Sequence, residues 1–299
     1  MAVPLTSRRF LTAGVAALAL VIVGCSSSDD ASPDSTAPAE SGPPQSIVSL
    51  SPTTTEMLYA VGAGDQVIAV DDRSDYPEGV PVTELSGYNP NVEAILGYDP
   101  DLVVTTDDNG DLVAGLGNAG VEVLLLPAAV TLDDTYAQLE QVGAATGHVA
   151  DAAELVAQMQ TEIDEIVTSV PERETPLRYY HELDNTFYSV TDDTYIGEIY
   201  SMLGLTSIAT GGDGYPQLSS EFIVEQNPDL IFLADSQCCG VTPETVAERA
   251  GWADLTAVRD GQVHVLDEDI ASRWGARVVD LVRELAAIVT AVPAGQPAP

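Results

Sequence analysis

The sequence contains no lysine, and its ten basic residues are all arginine. Against them stand 47 acidic residues, which give the chain a formal net charge of -37. A field of this sign repels nucleic acid and anionic lipid, so we expect neither to be a partner. The lack of lysine also excludes Schiff-base chemistry and the lysine of a phosphate-binding Gly-x-x-x-x-Gly-Lys loop. No Gly-x-Ser-x-Gly motif for a nucleophilic serine is present either.

Histidine is scarce as well. The three histidines are His148, His181 and His264, and no two of them stand at i, i+2 or i+4. Sites for bare transition metals usually draw on several histidines, so we expect no direct metal site. His181 with Glu182, at the end of a predicted strand, is the best single candidate. A hydrogen-bonded histidine is the more ordinary interpretation of this pair.

The N-terminus has the pattern of an export signal. Two arginines precede an apolar run over 10–23, which has the length of a signal-peptide core and is short for a membrane span. The run ends in Ile-Val-Gly-Cys, which resembles the bacterial lipobox, whose cysteine is lipidated after cleavage. We predict a signal peptide over 1–24, a lipid anchor on Cys25 at the outer face of the cell membrane, and a disordered tether over 25–45. Secretion without lipidation is the alternative.

Two segments 128 positions apart are nearly the same. Residues 92–104 and 220–232 each predict a short helix with a glutamate in its first turn, a Pro-Asp turn and a buried strand. The coincidence predicts two similar lobes with a cleft between them, and it makes Glu93 and Glu221 equivalent positions. The alternative is that helix, Pro-Asp and strand recur by chance, as they do in many α/β proteins.

Short β-rich runs alternate with helical segments from residue 46 onward. This alternation predicts an α/β fold of two Rossmann-like lobes, each a mainly parallel sheet flanked by helices. We expect an N-terminal lobe over 46–147, one long connecting helix over 148–171 that begins at an Asp151–Glu154 capping box, and a C-terminal lobe over 172–293. The predicted strands are 47–50, 67–70, 102–105, 121–126, 177–181, 187–190, 230–234 and 263–266.

In doubly wound sheets a ligand lies beyond the carboxyl ends of the strands. Arg73 and Arg273 follow predicted strands at this edge, and a guanidinium suits carboxylate, phosphate or catecholate oxygens and stacks on rings. Neutralisation of the neighbouring acidic residues is an equal alternative. Flat walls for a large ligand are expected from aromatic side chains, the candidates being Tyr88, Tyr179, Tyr195, Tyr215 and Trp274.

Four blocks of sequence carry a family resemblance. They are Ile-Val-Ser-Leu-Ser-Pro-Thr-Thr-Thr-Glu over 47–56, Ser-Asp-Tyr-Pro over 74–77, the two Glu-to-Pro-Asp-Leu repeats, and Asp-Ile-Ala-Ser-Arg over 269–273. Together they resemble the substrate-binding lipoproteins of ATP-driven (ABC) importers for ferric siderophores, cobalamin and haem, whose two lobes are joined by one long helix. The resemblance covers 46 to about 292.

This resemblance implies a monomeric, non-enzymatic receptor that captures a metal chelate, needs no cofactor and delivers the chelate to an ABC permease with its ATPase. It assigns Glu93 and Glu221 to arginine pockets of the permease, where carboxylates fix orientation through charge-assisted bonds. Helix N-terminal glutamates that only favour the helix dipole are the alternative. Other possible functions are a chelatase-type enzyme on a similar scaffold, and a surface sensor or adhesin without a transport role.

The resemblance also implies ligand-contacting residues. By position, Asp269, Arg273, Tyr215 and Phe187 match pocket residues of the cobalamin-binding member. The first lobe departs from that member, because Arg73, Gly87 and Thr106 stand where it has aromatic residues, with Tyr88 next to them. This departure favours a smaller or more anionic chelate. The complete set predicted to bind ligand is Arg73, Tyr88, Phe187, Tyr215, Asp269, Arg273 and Trp274.

The adjacent cysteines Cys238 and Cys239 follow a predicted strand of the second lobe. Neighbouring Cα atoms across a trans peptide lie about 3.8 Å apart, below the usual disulfide range of about 4.4–6.8 Å. An oxidising exterior nevertheless favours their pairing. We predict a vicinal disulfide that stiffens a loop beside the cleft.

Overall fold

The computed structural model describes residues 42–211 and 214–293. The predicted signal peptide, Cys25 and all but the last few residues of the tether lie outside these ranges. Over the described ranges, none of the helices has both the length and the apolar character that a membrane span requires.

Within the described ranges, eight strands form two separate parallel sheets of four strands each. The first sheet has the order β2-β1-β3-β4 and the second the order β6-β5-β7-β8, so the two have the same topology. Their strands are β1 (Ile47–Ser49), β2 (Val67–Val70), β3 (Leu102–Thr105), β4 (Glu122–Leu125), β5 (Leu177–Glu182), β6 (Leu205–Ser207), β7 (Leu230–Leu233) and β8 (Val263–Val265).

Helices cover both faces of each sheet and connect its strands. They are α1 (Pro52–Ala60), α2 (Val92–Leu96), α3 (Leu112–Asn118), α4 (Leu132–Thr146), α5 (Val149–Ser169), α6 (Tyr195–Met202), α7 (Ser220–Gln226), α8 (Ser236–Cys239), α9 (Pro243–Ala247), α10 (Thr256–Arg259), α11 (Glu268–Ser272) and α12 (Val278–Ala291). We call the first sheet with α1–α4 the first lobe, and the second sheet with α6–α12 the second lobe.

The repeated segments occupy equivalent places in the two lobes. Residues 92–104 form α2 and β3, residues 220–232 form α7 and β7, and each strand is third in the order of its sheet. The predicted α/β fold of two parallel sheets flanked by helices and joined by one long helix is therefore confirmed. The duplication is a property of the whole lobe rather than of one short motif.

The connecting helix α5 has 21 residues, which corresponds to a length of about 30 Å. It begins at Val149, and no side chain caps its first turn. The predicted capping box at Asp151 is wrong, because Asp151 already lies inside the helix and its carboxylate bonds His148 Nδ1 at 3.1 Å. The preceding helix α4 ends at Gly147, whose φ of 85° places it in the left-handed region that favours glycine.

One predicted strand is absent from the described part of the second lobe. Residues 187–190 make only an isolated antiparallel bridge, Tyr188 to Gln217, so the prediction of a strand there is wrong. The physical reason is the positive φ of 69° at Phe187, which ends the extended conformation. The three-residue strand β6, by contrast, was not predicted.

The main apolar core continues from one lobe into the other. It contains Ile47 and Leu102 of the first sheet, Tyr179 and Phe232 of the second, and the inner faces of α4, α5 and α12. Smaller apolar clusters cover the outer face of each sheet. Wide separation of the lobes would expose the shared core to water, so the fold favours small lobe shifts over a wide opening.

Candidate functional site

The carboxyl edges of the two sheets face each other. Asp75, in the loop after β2, accepts a hydrogen bond from Arg273 Nη1 at 3.2 Å, and Arg273 comes after β8 and α11 of the second lobe. Because all strands of a sheet are parallel, the remaining carboxyl-end loops of each lobe lie along the same edge. We call the space between these two edges the interlobe cleft. In other α/β proteins, ligands bind beyond the carboxyl ends of the strands.

An ion network with a buried centre joins the two lobes at the cleft. Its centre is Glu56 of α1, whose side chain is 2% exposed. Arg273 Nη1 lies 2.7 Å from Glu56 Oε1, and Arg277 donates to both oxygens of the same carboxylate at 2.5 and 2.9 Å. Arg273 also bonds Asp269 at 2.5 Å. We call Glu56, Asp75, Asp269, Arg273 and Arg277 the interlobe network. Hydrogen bonding to Glu56 raises the pKa of Arg277, despite an opposing effect of burial.

Helix α4 supplies further polar contacts between the lobes. Trp274 Nε1 donates to Gln138 Oε1 at 3.0 Å, and the backbone N–H of Leu132 donates to Glu198 Oε2 at 2.8 Å. Trp274 is half-buried and packs against the shared core. Trp274 and Arg273, both predicted to bind ligand, are thus already engaged between the lobes.

The other predicted arginine has a different environment. Arg73 is exposed in the loop after β2. Its neighbour Asp71 is buried, bonds Ser74 Oγ at 2.5 Å and has a pKa raised by that burial. Within residues 42–211 and 214–293, no ion pair joins Arg73 to the acidic residues around it. Its guanidinium is therefore accessible from the cleft edge.

The predicted aromatic walls divide into two groups. Tyr179 is fully buried and Tyr195 is 6% exposed, so both belong to the core and their prediction as walls is wrong. Tyr88 is 83% exposed and Tyr215 is 47% exposed, one in each lobe. Tyr188, which sequence reasoning missed, is 40% exposed. It pairs with Gln217, two residues from Tyr215, so both rings lie on the same face of this short ribbon.

Phe187 packs into the second lobe rather than standing free. Its ring stacks on Trp252 with centroids 5.8 Å apart, and the guanidinium of Arg249 lies 5.3 Å from its centroid. Arg249 in turn forms a two-pronged ion pair with Glu182, with both bonds at 2.6 Å. Glu182 ends β5 and is fully buried. Phe187 therefore covers a buried ion pair at the carboxyl edge.

A second buried carboxyl lies beside this pair. Asp235 follows β7 and is fully buried, and neither of its side-chain oxygens has a hydrogen-bond partner among the residues that the structure describes. Burial, together with the charge of neighbouring Glu182, raises the pKa of Asp235 to about 7. Sequence reasoning missed both Asp235 and Arg249. A signal was available in the sequence, because an acidic residue stands at the carboxyl end of β5 (Glu182) and another just after β7 (Asp235).

The loop after β7 carries the two adjacent cysteines. The structure joins Cys238 and Cys239 by a disulfide in the short helix α8, and both residues are exposed. Glu268 of α11 accepts hydrogen bonds from the backbone N–H groups of Gln237 and Cys238, the latter at 3.0 Å. Glu268 precedes Asp269 of the interlobe network, so α11 contacts both the disulfide loop and the network.

The histidines do not assemble a metal site. Burial lowers the pKa of His181 to about 3, and its Nδ1 lies 2.8 Å from the hydroxyl of Tyr200. His264 bonds Gln262. Over the part of the chain that the structure describes, no group of three or more His, Cys, Asp or Glu residues is placed to bind a metal ion.

Glu93 and Glu221 occupy equivalent, exposed positions. Each is the second residue of its helix, α2 or α7, and each helix has a side-chain cap, from Asn91 and Ser219 respectively.

A cavity of about 400 Å³ lies away from these glutamates, where α1, α5 and α12 meet. Tyr76, Arg277 and Met159 are among its lining residues. It therefore adjoins the network from the side of the connecting helix.

Comparison with known proteins agrees with this architecture. A family described as periplasmic binding protein matches residues 47–270. The uncharacterised ABC transporter substrate-binding lipoprotein YvrC of Bacillus subtilis is 33% identical over 81% of this chain and 79% of its own length. A cobalamin-binding protein of Halobacterium salinarum is 30% identical over 81% of this chain and 69% of its own length.

A solved structure extends the comparison. The periplasmic vitamin B12 binding protein BtuF of Vibrio cholerae is 26% identical, with a TM-score of 0.67 over 83% of this chain and 97% of that one. The family consists of binding proteins rather than enzymes. On the extent of the family match and the shared two-lobed fold, the chain belongs to the periplasmic binding protein family.

Proposed function

We propose that this protein is an extracytoplasmic receptor that captures a metal chelate in the interlobe cleft and delivers it to an ABC importer, without enzymatic activity. The observation that carries the proposal is the pair of equivalent carboxyl edges, which face each other across the contact between Asp75 and Arg273. A ligand held there contacts both lobes at once.

A corrinoid or a ferric siderophore is the proposed cargo, with haem as the third candidate. The cobalamin-binding and vitamin B12 binding relatives support a corrinoid. The exposed rings of Tyr88 and Tyr215, with Tyr188 beside the latter, support a large ligand with flat faces. Arg73 adds a donor at the rim. Phe187, Asp269, Arg273 and Trp274 form the layer beneath these residues in this proposal.

Delivery to the permease is proposed to use Glu93 and Glu221. Both carboxylates are exposed, and each stands in the first turn of a helix that is equivalent in the two lobes. Two such charges fix the orientation of a docked receptor through bonds to arginines. The protein is proposed to act as a monomer, held at the membrane by a lipid on Cys25 and a tether. The disulfide of Cys238 and Cys239 is proposed to stiffen the loop after β7.

Titration of the mature protein with cyanocobalamin, ferric siderophores and haem tests the proposal. Trp274 is half-buried beside Arg273 and reports on the cleft through its emission, and melting temperature provides a second readout. We expect at least one of the three classes to change the emission and to raise the melting temperature at a stoichiometry of about one. If none of them changes either quantity, the proposed function is wrong.

A further inference from the structure

The arginines around the cleft are already neutralised by carboxylates of the protein. Arg273 lies within 3.2 Å of carboxylate oxygens of Glu56, Asp75 and Asp269. Arg277 bonds both oxygens of Glu56, and its guanidinium lies 4.2 Å from the centroid of the Tyr76 ring. The guanidinium groups of Arg273 and Arg277 are therefore already paired when an anionic ligand arrives. It must displace carboxylates from Arg273 before it can bind there.

A third arginine of the second lobe is neutralised in the same way. Arg249 forms its two-pronged bond with fully buried Glu182 and is covered by Phe187 and Trp252. Among the arginines described at the two carboxyl edges, Arg73 alone is exposed and outside an ion pair. Carboxylates at the same edges are far more numerous. Those exposed or half-exposed include Asp72, Asp75, Asp107, Asp108, Asp184, Asp267 and Asp269.

We infer that the cleft selects a metal chelate whose outer surface is uncharged or positively charged, and discriminates against anionic chelates. This inference rests on the proposed function and narrows it to a ligand class. An anionic chelate gains one accessible guanidinium and meets several uncompensated carboxylates, within a chain whose formal net charge is -37. The tyrosines of the cleft, in contrast, offer uncharged rings and hydroxyls to any chelate. The sequence comparison with the cobalamin-binding member favours a smaller or more anionic chelate, and the inference argues against the more anionic of these two alternatives.

Direct binding measurements with four iron or cobalt chelates test this selection. Ferrioxamine B is a positively charged hydroxamate complex and cyanocobalamin carries no net charge, whereas ferric enterobactin and haem are anionic. We expect one of the first two to bind at least about tenfold more tightly than both anionic chelates at low ionic strength. Added salt is expected to narrow this gap, because it screens the repulsion. The salt dependence of the affinities separates an effect of ligand charge, which salt screens, from an effect of ligand size, which salt does not alter.

A variant isolates the groups responsible. Replacement of Asp75→Asn together with Asp269→Asn frees two of the bonding positions of Arg273 without touching buried Glu56. The side chain of Asp75 is 66% exposed and that of Asp269 is 35% exposed, so folding is expected to persist. Affinity for ferric enterobactin or haem is expected to rise about fivefold per carboxylate removed. The control Glu165→Gln, on an exposed position of α5, alters the net charge but is expected to leave these affinities within about twofold.

The outcomes are distinct. If the wild-type protein binds ferric enterobactin or haem more tightly than both ferrioxamine B and cyanocobalamin, the inference is wrong. The proposed receptor function is not affected by that result. Equal affinities in the double variant and the wild-type protein also overturn the inference, because the carboxylates then play no part in selection. Failure of all four chelates to bind overturns the proposed function, and the inference with it.

Discussion

Glu56 and Arg277 join the two lobes through a carboxylate that receives two hydrogen bonds from one guanidinium, at 2.5 and 2.9 Å. They stand 221 positions apart in the chain, one in the first helix and the other at the start of the last. The carboxylate is almost fully buried, and Arg273 donates to it as well. The lobes are therefore fixed relative to each other by charge as well as by the shared apolar core.

Removal of the charge at Glu56 is expected to destabilise the fold strongly. The variant Glu56→Gln leaves the guanidinium of Arg277 without its carboxylate and takes from Arg273 the most buried of its three. Breaking a buried pair from one side costs about 3–5 kcal/mol. Denaturant unfolding measures this loss. The exposed pair of Glu162 and Arg283 provides the control, because Glu162→Gln is expected to cost about 1 kcal/mol or less. Equal unfolding midpoints for the two variants would contradict this role of the network.

Asp235 is expected to make the protein less stable as the pH rises toward neutrality. Its pKa is about 7 in the folded protein and 3.8 ordinarily, so between these values the folded state binds the additional proton. The free energy of unfolding then falls as the pH rises from about 4 to about 7, and this contribution is constant above that range.

The variant Asp235→Asn keeps an uncharged side chain of the same shape and removes this dependence. It is expected to equal the wild-type protein in stability near pH 4 and to exceed it near pH 8, by about 4 kcal/mol. Chemical unfolding across this pH range measures the difference. Parallel stability curves for the two proteins would show that Asp235 is not the titrating group.

Exchange of both Glu93 and Glu221 for alanine is expected to abolish uptake and to leave chelate affinity unchanged. Both side chains are exposed and remote from the carboxyl edges, since each helix precedes its strand. The control Glu225→Ala removes an exposed charge from the last turn of α7, and uptake should persist. Retained uptake in the double variant would remove the docking proposal.

The disulfide of Cys238 and Cys239 is expected to be present in the exported protein. Both cysteines are exposed, so an alkylating reagent reaches them if they are free thiols. Mass spectrometry of the unreduced mature protein should then detect no alkylation at either position, and alkylation of both after reduction. Two alkylated residues without reduction would be the contrary result.

Much of the fold follows from local sequence patterns. Helix α4 shows why, because Thr131 and Asp134 cap each other at its start and Gly147 ends it, so both ends are set by residues close in sequence. The strand β6 escaped prediction because its three residues, Leu205–Ser207, are too few to show a periodic pattern. The predicted strand over 187–190 is wrong because an apolar run gives no sign of a positive φ at a non-glycine residue such as Phe187.

The site was less predictable than the fold for a different reason. Arg73 and Arg273 both follow strands at the carboxyl edge, so the sequence pattern predicts the same ligand-binding role for both. Only the packing of the lobes brings Glu56 and Asp75 to Arg273 and leaves Arg73 exposed. Contacts over 198 and more positions leave no local signal. Burial likewise separates Tyr179 from Tyr88.

One ligand is proposed to contact both lobes, and a pair of aromatic variants, one in each lobe, tests this contact. Tyr88→Ala removes an exposed ring from the first lobe and Tyr215→Ala one from the second. Loss of a stacking ring is expected to weaken chelate binding about tenfold in each case. The control Tyr98→Ala removes a ring that is 40% exposed and precedes β3, at the edge away from the cleft.

Calorimetric titration of the three variants with the chelate that the wild-type protein binds gives the result in one series. We expect weaker binding by both Tyr88→Ala and Tyr215→Ala and unchanged binding by Tyr98→Ala. Loss of affinity from one lobe only, or from neither, would contradict a ligand held between the two lobes.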